Sequence, residues 1–185
     1  MSWRHWWWRE SPLRRKTNVV AVRPIRLFGD PILRSPTDPV DPASERTAQL
    51  VEDLLDTVRE PGRAGVAANQ IGVGLRAFSY NVDGEVGYVL NPVLESVDGE
   101  IESVEEGCLS VPGVSVPRPR YPRATVSGVL LDGSAVTITG EGLLAQALQH
   151  ECDHLDGHLY IEGLEPEVKR QAMADIRSSD WFQGA

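Results

Sequence analysis

The run Leu143-Leu144-Ala145-Gln146-Ala147-Leu148-Gln149-His150-Glu151-Cys152-Asp153-His154-Leu155 decides how this chain is read. Its apolar residues recur at helical spacing, and Gly157 suits the left-handed position just past a helix end. Thr139 or Gly140 is expected to cap the start. At about 100° per residue, His150, Glu151 and His154 fall at roughly 0°, 100° and 40° around the axis. Both imidazoles therefore face one way, one turn apart, and can grip one metal ion. Glu151 sits beside them, within reach of a water on that ion. Cys152, near 200°, points to the opposite side, and Asp153, near 300°, is expected to support its surroundings through hydrogen bonds. The bland alternative is two histidines met by chance on a surface helix; their place on an apolar helix favours the metal.

Two imidazoles leave the site incomplete. A catalytic metal usually takes three protein ligands and keeps one position open for water. Downstream, His158 lies too close to the helix end, while Glu162, Glu165 and Glu167 are candidates without distinguishing context. Upstream lies Glu106-Gly107-Cys108-Leu109-Ser110. A lone cysteine in such a turn is more often a small buried residue than a ligand. Beside a two-histidine site that lacks a partner, Cys108 is the best third ligand.

Outward from the metal helix, the chain reads as α+β. A helix is expected from near Asp41, with Asp41 as cap, Pro42 at the first helical position, and Leu50, Val51, Leu54, Leu55 and Val58 on its apolar face. Pro61-Gly62 ends it. Strands are expected over 75–82, 86–94 and 123–131, with Asp83-Gly84 and Asp132-Gly133 as hairpin turns and 136–139 as a last partner. A final helix is expected from Pro166 to about Arg177. The picture is antiparallel or mixed sheet packed around the central His-Glu-x-x-His helix, with a helix at each end. The 185 residues suit one domain. Residues 1–18, which hold Trp3, Trp6, Trp7 and Trp8 among basic residues, are expected to be a tail or to follow from a start site set too early; a membrane-surface role is the rival reading. Residues 19–185 then form a single catalytic domain.

Composition narrows the class. The net charge is −9, so sequence-specific or general nucleic-acid binding is not expected. Two cysteines are too few for a disulfide framework. No apolar run is long enough to span a membrane. A cytoplasmic compartment and a monomer are the expectation.

Three segments together resemble the peptide deformylases: Gly65-Val66-Ala67-Ala68-Asn69-Gln70, Glu106-Gly107-Cys108-Leu109-Ser110 and Gln149-His150-Glu151-Cys152-Asp153-His154. They occur in the family's order and with similar spacing, and the likeness runs from about Pro24 to Leu164. It implies removal of the N-formyl group from the initiator methionine of nascent chains by a hydrolase acting on linear amides. It implies one divalent metal, Fe(II) first, with zinc, nickel or cobalt able to take the site. Carried over, Cys108, His150 and His154 bind metal, Glu151 is general base and acid, and Gln70 and the Leu109 N–H stabilise the oxyanion. Gly65, Val66, Val104, Leu143, Gln146 and Ala147 border the substrate. The chemistry suits the residues: a metal acidifies bound water towards pKa ~7, and fixed N–H donors meet the charge that develops on the formamide oxygen.

Two departures stand out. Arg63 occupies a position where the family has glycine. Gln146 shares the helix face of His150 where an aliphatic residue is common; its amide is expected at the solvated rim, against the sharper reading of altered side-chain preference. Glu106, a carboxylate beside the metal loop, needs a partner, and Arg120 is the first choice, ahead of Arg118 and Arg123. A His-Glu-x-x-His metallopeptidase and a weakly active or non-catalytic paralogue are the alternatives. N-formylmethionyl nascent peptides are the expected substrates. Transient ribosome association is a weaker inference, since the last helix mixes Lys169, Arg170 and Arg177 with Glu165, Glu167 and Asp175.

Overall fold

A computed structural model describes residues 22–184; the tryptophan-rich start therefore lies outside the described residues. The elements run α1 (Glu45–Val58), β1 (Gly65–Ala67), β2 (Ala77–Val82), β3 (Glu85–Asp98), β4 (Glu102–Cys108), β5 (Val111–Arg120), β6 (Arg123–Val129), β7 (Ala135–Glu141), α2 (Gly142–Leu155), α3 (Pro166–Ser178) and α4 (Asp180–Gln183). β1-β2-β3-β6-β7 make one sheet and β4-β5 a second, with antiparallel pairing throughout. The class is α+β.

Period-two alternation builds the larger sheet into the interior on both faces. Val66, Ala77 and Leu90 join Leu50, Leu54 and Val58 of α1 in one cluster. Their chain neighbours Ala67, Phe78 and Val89 join Ala145, Leu148, Cys152 and Leu155 of α2 in another. α1 and α2 thus cover opposite faces. A third cluster packs Val111, Val114 and Val116 of β5 against Ala172 and Ile176 of α3.

The two hairpins form at the expected turns. Asp83 and Gly84 take φ of 54° and 84°, which a two-residue hairpin connection between twisted strands requires. Two caps differ from expectation. α1 starts at Glu45 because the Ser44 hydroxyl accepts the Thr47 N–H at 3.1 Å. Asp41 instead turns the preceding chain, its carboxylate accepting the Ala43 N–H. α2 is not capped by Thr139 or Gly140, because β7 runs straight into the helix and both residues stay paired with β6.

The β4-β5 hairpin was not legible in the sequence. Pro112, Pro117 and Pro119 interrupt the strand signal of β5. A two-stranded sheet accommodates them, since each strand keeps an unpaired edge.

Candidate active site

α2 lies between the larger sheet and β4, and this placement sorts its side chains. Cys152 faces the sheet within the apolar cluster. His150, Glu151 and His154 are buried on the other sides of the helix. β4 ends at Cys108, where an irregularity after Gly107 turns the chain through Leu109 and Ser110 into β5. That turn brings the Cys108 Sγ to 3.2 Å from His154 Nε2, which lies 3.1 Å from His150 Nε2. The three ligand atoms all fall within 4.8 Å of one another.

This donor set fits a metal ion. Tetrahedral bonds of about 2.1 Å to nitrogen and 2.3 Å to sulfur place ligand atoms about 3.5 Å apart. His150 Nδ1 donates to Glu106 Oε1 at 2.7 Å, which leaves the Nε2 lone pair for a ligand. The Asn69 amide donates to the His154 carbonyl oxygen and ties down the end of the helix. Glu151 Oε2 is buried with no hydrogen-bond partner among the described residues. An orphaned carboxylate oxygen beside three converging ligands is placed to receive a proton.

The electrostatics agree with that layout. Burial pushes the Glu151 carboxyl up to about 7. Burial also opposes ionisation of Cys108, but the neighbouring His154 and His150 outweigh it and hold the thiol well below its usual range. For Cys152, burial outweighs the Arg76 charge and pushes the thiol up to about 12. Stripping the metal should therefore let iodoacetamide alkylate Cys108 in the native protein and leave Cys152 untouched. Mass mapping of the labelled peptides checks this; equal labelling of both thiols would contradict it.

Glu106 has the expected partner. Arg120 Nε and Nη2 each donate to its carboxylate at 2.7 Å, and Arg120 Nη1 donates to Asp153 at 2.8 Å. Burial raises the Glu106 pKa, but the Arg120 and His150 hydrogen bonds win and bring it to about 2. Asp153 thus supports the site through Arg120. Gln149, which carried no expectation, pins α2 to Tyr121 through both its amide groups.

Gln70 is oriented by its own neighbours. Its Oε1 accepts the Ala67 N–H at 2.9 Å, so its Nε2 must point the other way, to 3.4 Å from Cys108 Sγ and 3.3 Å from Ser110 Oγ. A side-chain amide donor therefore stands beside the ligand cluster. Leu109 lines the same cleft.

The cleft, of about 640 Å³, is bounded by Gly65, Gln70, Cys108, Leu109, Leu143, Gln146 and Ala147 around His150 and Glu151. Val66 is fully buried in the α1 cluster, and Val104, half-buried on β4, stands outside this lining. Gln146 is half-buried at the edge of the cleft, where its Nε2 donates to the Glu105 carbonyl oxygen at 3.1 Å and lies 3.4 Å from Glu106 Oε2. Gly65 packs against the Glu151 carboxylate, since a Cβ added there would lie 2.3 Å from Glu151 Oε1. Gly65→Ala should displace Glu151 and lower turnover by about 10-fold or more, because misplacement by ~1 Å is costly. Unchanged kcat at unchanged metal content would contradict this.

The family described as polypeptide deformylase matches residues 22–170. A peptide deformylase of Acidothermus cellulolyticus is 48% identical over 162 residues, covering 88% of this chain and 89% of its own. Peptide deformylase 1 of Corynebacterium efficiens is 44% identical, covering 88% and 99%. The crystal structure of a peptide deformylase from Legionella pneumophila superimposes with a TM-score of 0.81 at 36% identity, covering 89% of this chain and 98% of that one. The chain belongs to the polypeptide deformylase family, metal-dependent hydrolases that remove the N-formyl group from nascent polypeptides.

Proposed function

We propose that Cys108, His150 and His154 hold one divalent metal, ferrous iron in the cell, and that Glu151 moves the protons of N-formylmethionyl hydrolysis. The observation that carries this reading is the convergence of one thiol and two imidazole Nε2 atoms beside the unpartnered Glu151 Oε2. A metal held by these three residues would supply Lewis acidity, bringing the pKa of water towards ~7. Glu151 accepts the proton of the attacking water. Gln70 Nε2 and the Leu109 N–H donate to the formyl oxygen as it gains negative charge, each donor contributing about 3 kcal/mol. Glu151 then passes its proton to the departing amine, and formate and the free methionyl amine leave. Glu106 holds His150 in the tautomer and orientation that ligation needs.

The donors suit ferrous iron and equally zinc, nickel or cobalt, as one soft thiolate joins two imidazoles. Gly65, Leu143, Gln146 and Ala147 border the methionyl residue in this reading. The enzyme acts as a cytoplasmic monomer, in transient contact with the ribosome. The deciding experiment is deformylation of formyl-Met-Ala-Ser by anaerobically purified protein with metal analysis, beside an unblocked peptide. Cleavage of the formyl peptide alone supports the reading. No hydrolysis of any formyl peptide by metal-loaded protein would overturn it in favour of a non-catalytic paralogue. Loss of activity in air, prevented by nickel, marks iron.

A further inference from the structure

Among the described residues, Arg63 is the one lysine or arginine that lines the cleft. It sits half-buried in the loop from α1 to β1. Its Nη1 donates to the Thr57 carbonyl oxygen at 2.9 Å, in the last turn of α1. No carboxylate pairs with it among the described residues. The guanidinium is thus held at one point, with further N–H donors available to a ligand.

Three acids, Glu105, Glu106 and Glu151, line the same cleft. Glu106 is neutralised by Arg120 at 2.7 Å. Glu151 is buried among the metal ligands. Glu105 is exposed on β4, where it accepts the Ser115 hydroxyl at 3.2 Å and keeps its charge in water, so screening by solvent limits its effect on Arg63. Arg63 also stands near the reacting centre. Gly65 abuts the Glu151 carboxylate, and Arg63 is two residues away, at most about 7 Å along the chain. A peptide with its formyl group at the ligand cluster, running out along this wall, advances about 3.3 Å per residue. Side chains two or three residues in from the formylated end then come level with Arg63.

We propose that Arg63 is a specificity-determining residue that favours nascent chains with aspartate or glutamate at the second or third position and disfavours lysine and arginine there. The proposal rests on the deformylase reading and refines its substrate class. The carboxylate of such a chain would pair with the N–H groups of Arg63 that Thr57 leaves available.

The test compares kcat/KM for formyl-Met-Ala-Asp and formyl-Met-Ala-Lys, both amidated, with wild type, Arg63→Gln and Arg63→Lys. Glutamine keeps an amide donor for the Thr57 carbonyl and removes the charge. The Asp-to-Lys ratio is the readout, because a general loss of activity or folding leaves it unmoved. Wild type should favour the aspartyl peptide by about 3- to 10-fold at low salt, mainly through KM, with the ratio shrinking as salt screens the charges. Arg63→Gln should bring the ratio close to one, and Arg63→Lys should retain most of it. A wild-type ratio near one, or a ratio kept in Arg63→Gln, overturns the proposal while leaving deformylation intact. No cleavage of either peptide by metal-loaded wild type overturns both.

Discussion

Glu151→Gln is expected to lower kcat by about 10²- to 10⁴-fold, the range for removing a positioned general acid–base. The amide has the size of the carboxylate and cannot accept the proton of the attacking water. Because Glu151 is not among the converging ligand atoms, metal content should stay at that of wild type. A second consequence separates this from a merely structural loss. Burial raises the Glu151 pKa from 4.5 to about 7, so the folded, metal-free protein disfavours the ionised form. For an acid with a raised pKa, stability is fully present below the unfolded value of 4.5 and is lost as pH rises to about 7. The glutamine variant escapes that loss, and metal-free Glu151→Gln should exceed metal-free wild type by on the order of 3 kcal/mol at pH 8. Denaturant unfolding at pH 4 and pH 8 checks it. A variant that is inactive, metal-loaded and more stable at alkaline pH fits a proton-transfer role. A variant that retains activity would remove Glu151 from the mechanism.

The metal centre was legible because its chemistry is local. His150 and His154 are one helical turn apart, so periodicity alone sets both rings on one side. The same arithmetic turned Cys152 away, and it is buried against the sheet. Cys108 was harder to read, since its approach depends on the irregular turn after Gly107. What stayed hidden depends on packing between elements distant in sequence. Asn69 reaches the His154 carbonyl and Gln146 reaches Glu105 only because α2 lies between the larger sheet and β4. At position 146 the partner is a backbone carbonyl, which no residue type announces. Gly65 shows the same limit. Its motif was visible, but its need for a missing side chain appears only when Glu151 is seen against it.

Arg120→Ala is expected to be the most destabilising single change near the site. Arg120 and Glu106 are 7% and 2% exposed, and the pair is bidentate at 2.7 Å. Removing the guanidinium leaves Glu106 charged and buried, with Asp153 also deprived of its donor. Breaking such a pair costs about 3–5 kcal/mol, which lowers Tm by roughly 10 °C for a chain of this size. The pH dependence runs opposite to that of Glu151. The folded Glu106 pKa is depressed to about 2, so its contribution is present above 4.5 and lost as pH falls towards 2. The gap in stability between wild type and Arg120→Ala should therefore narrow on acidification. Glu106 also accepts the His150 Nδ1–H, so metal affinity should fall about 10- to 100-fold as the carboxylate loses its second support. The double variant Glu106→Gln with Arg120→Met separates the two effects. With no buried charge left unpaired, much of the stability should return, whereas His150 keeps only a neutral amide as acceptor and metal affinity should stay low. Full recovery of metal binding in the double variant would show that Glu106 serves the fold alone.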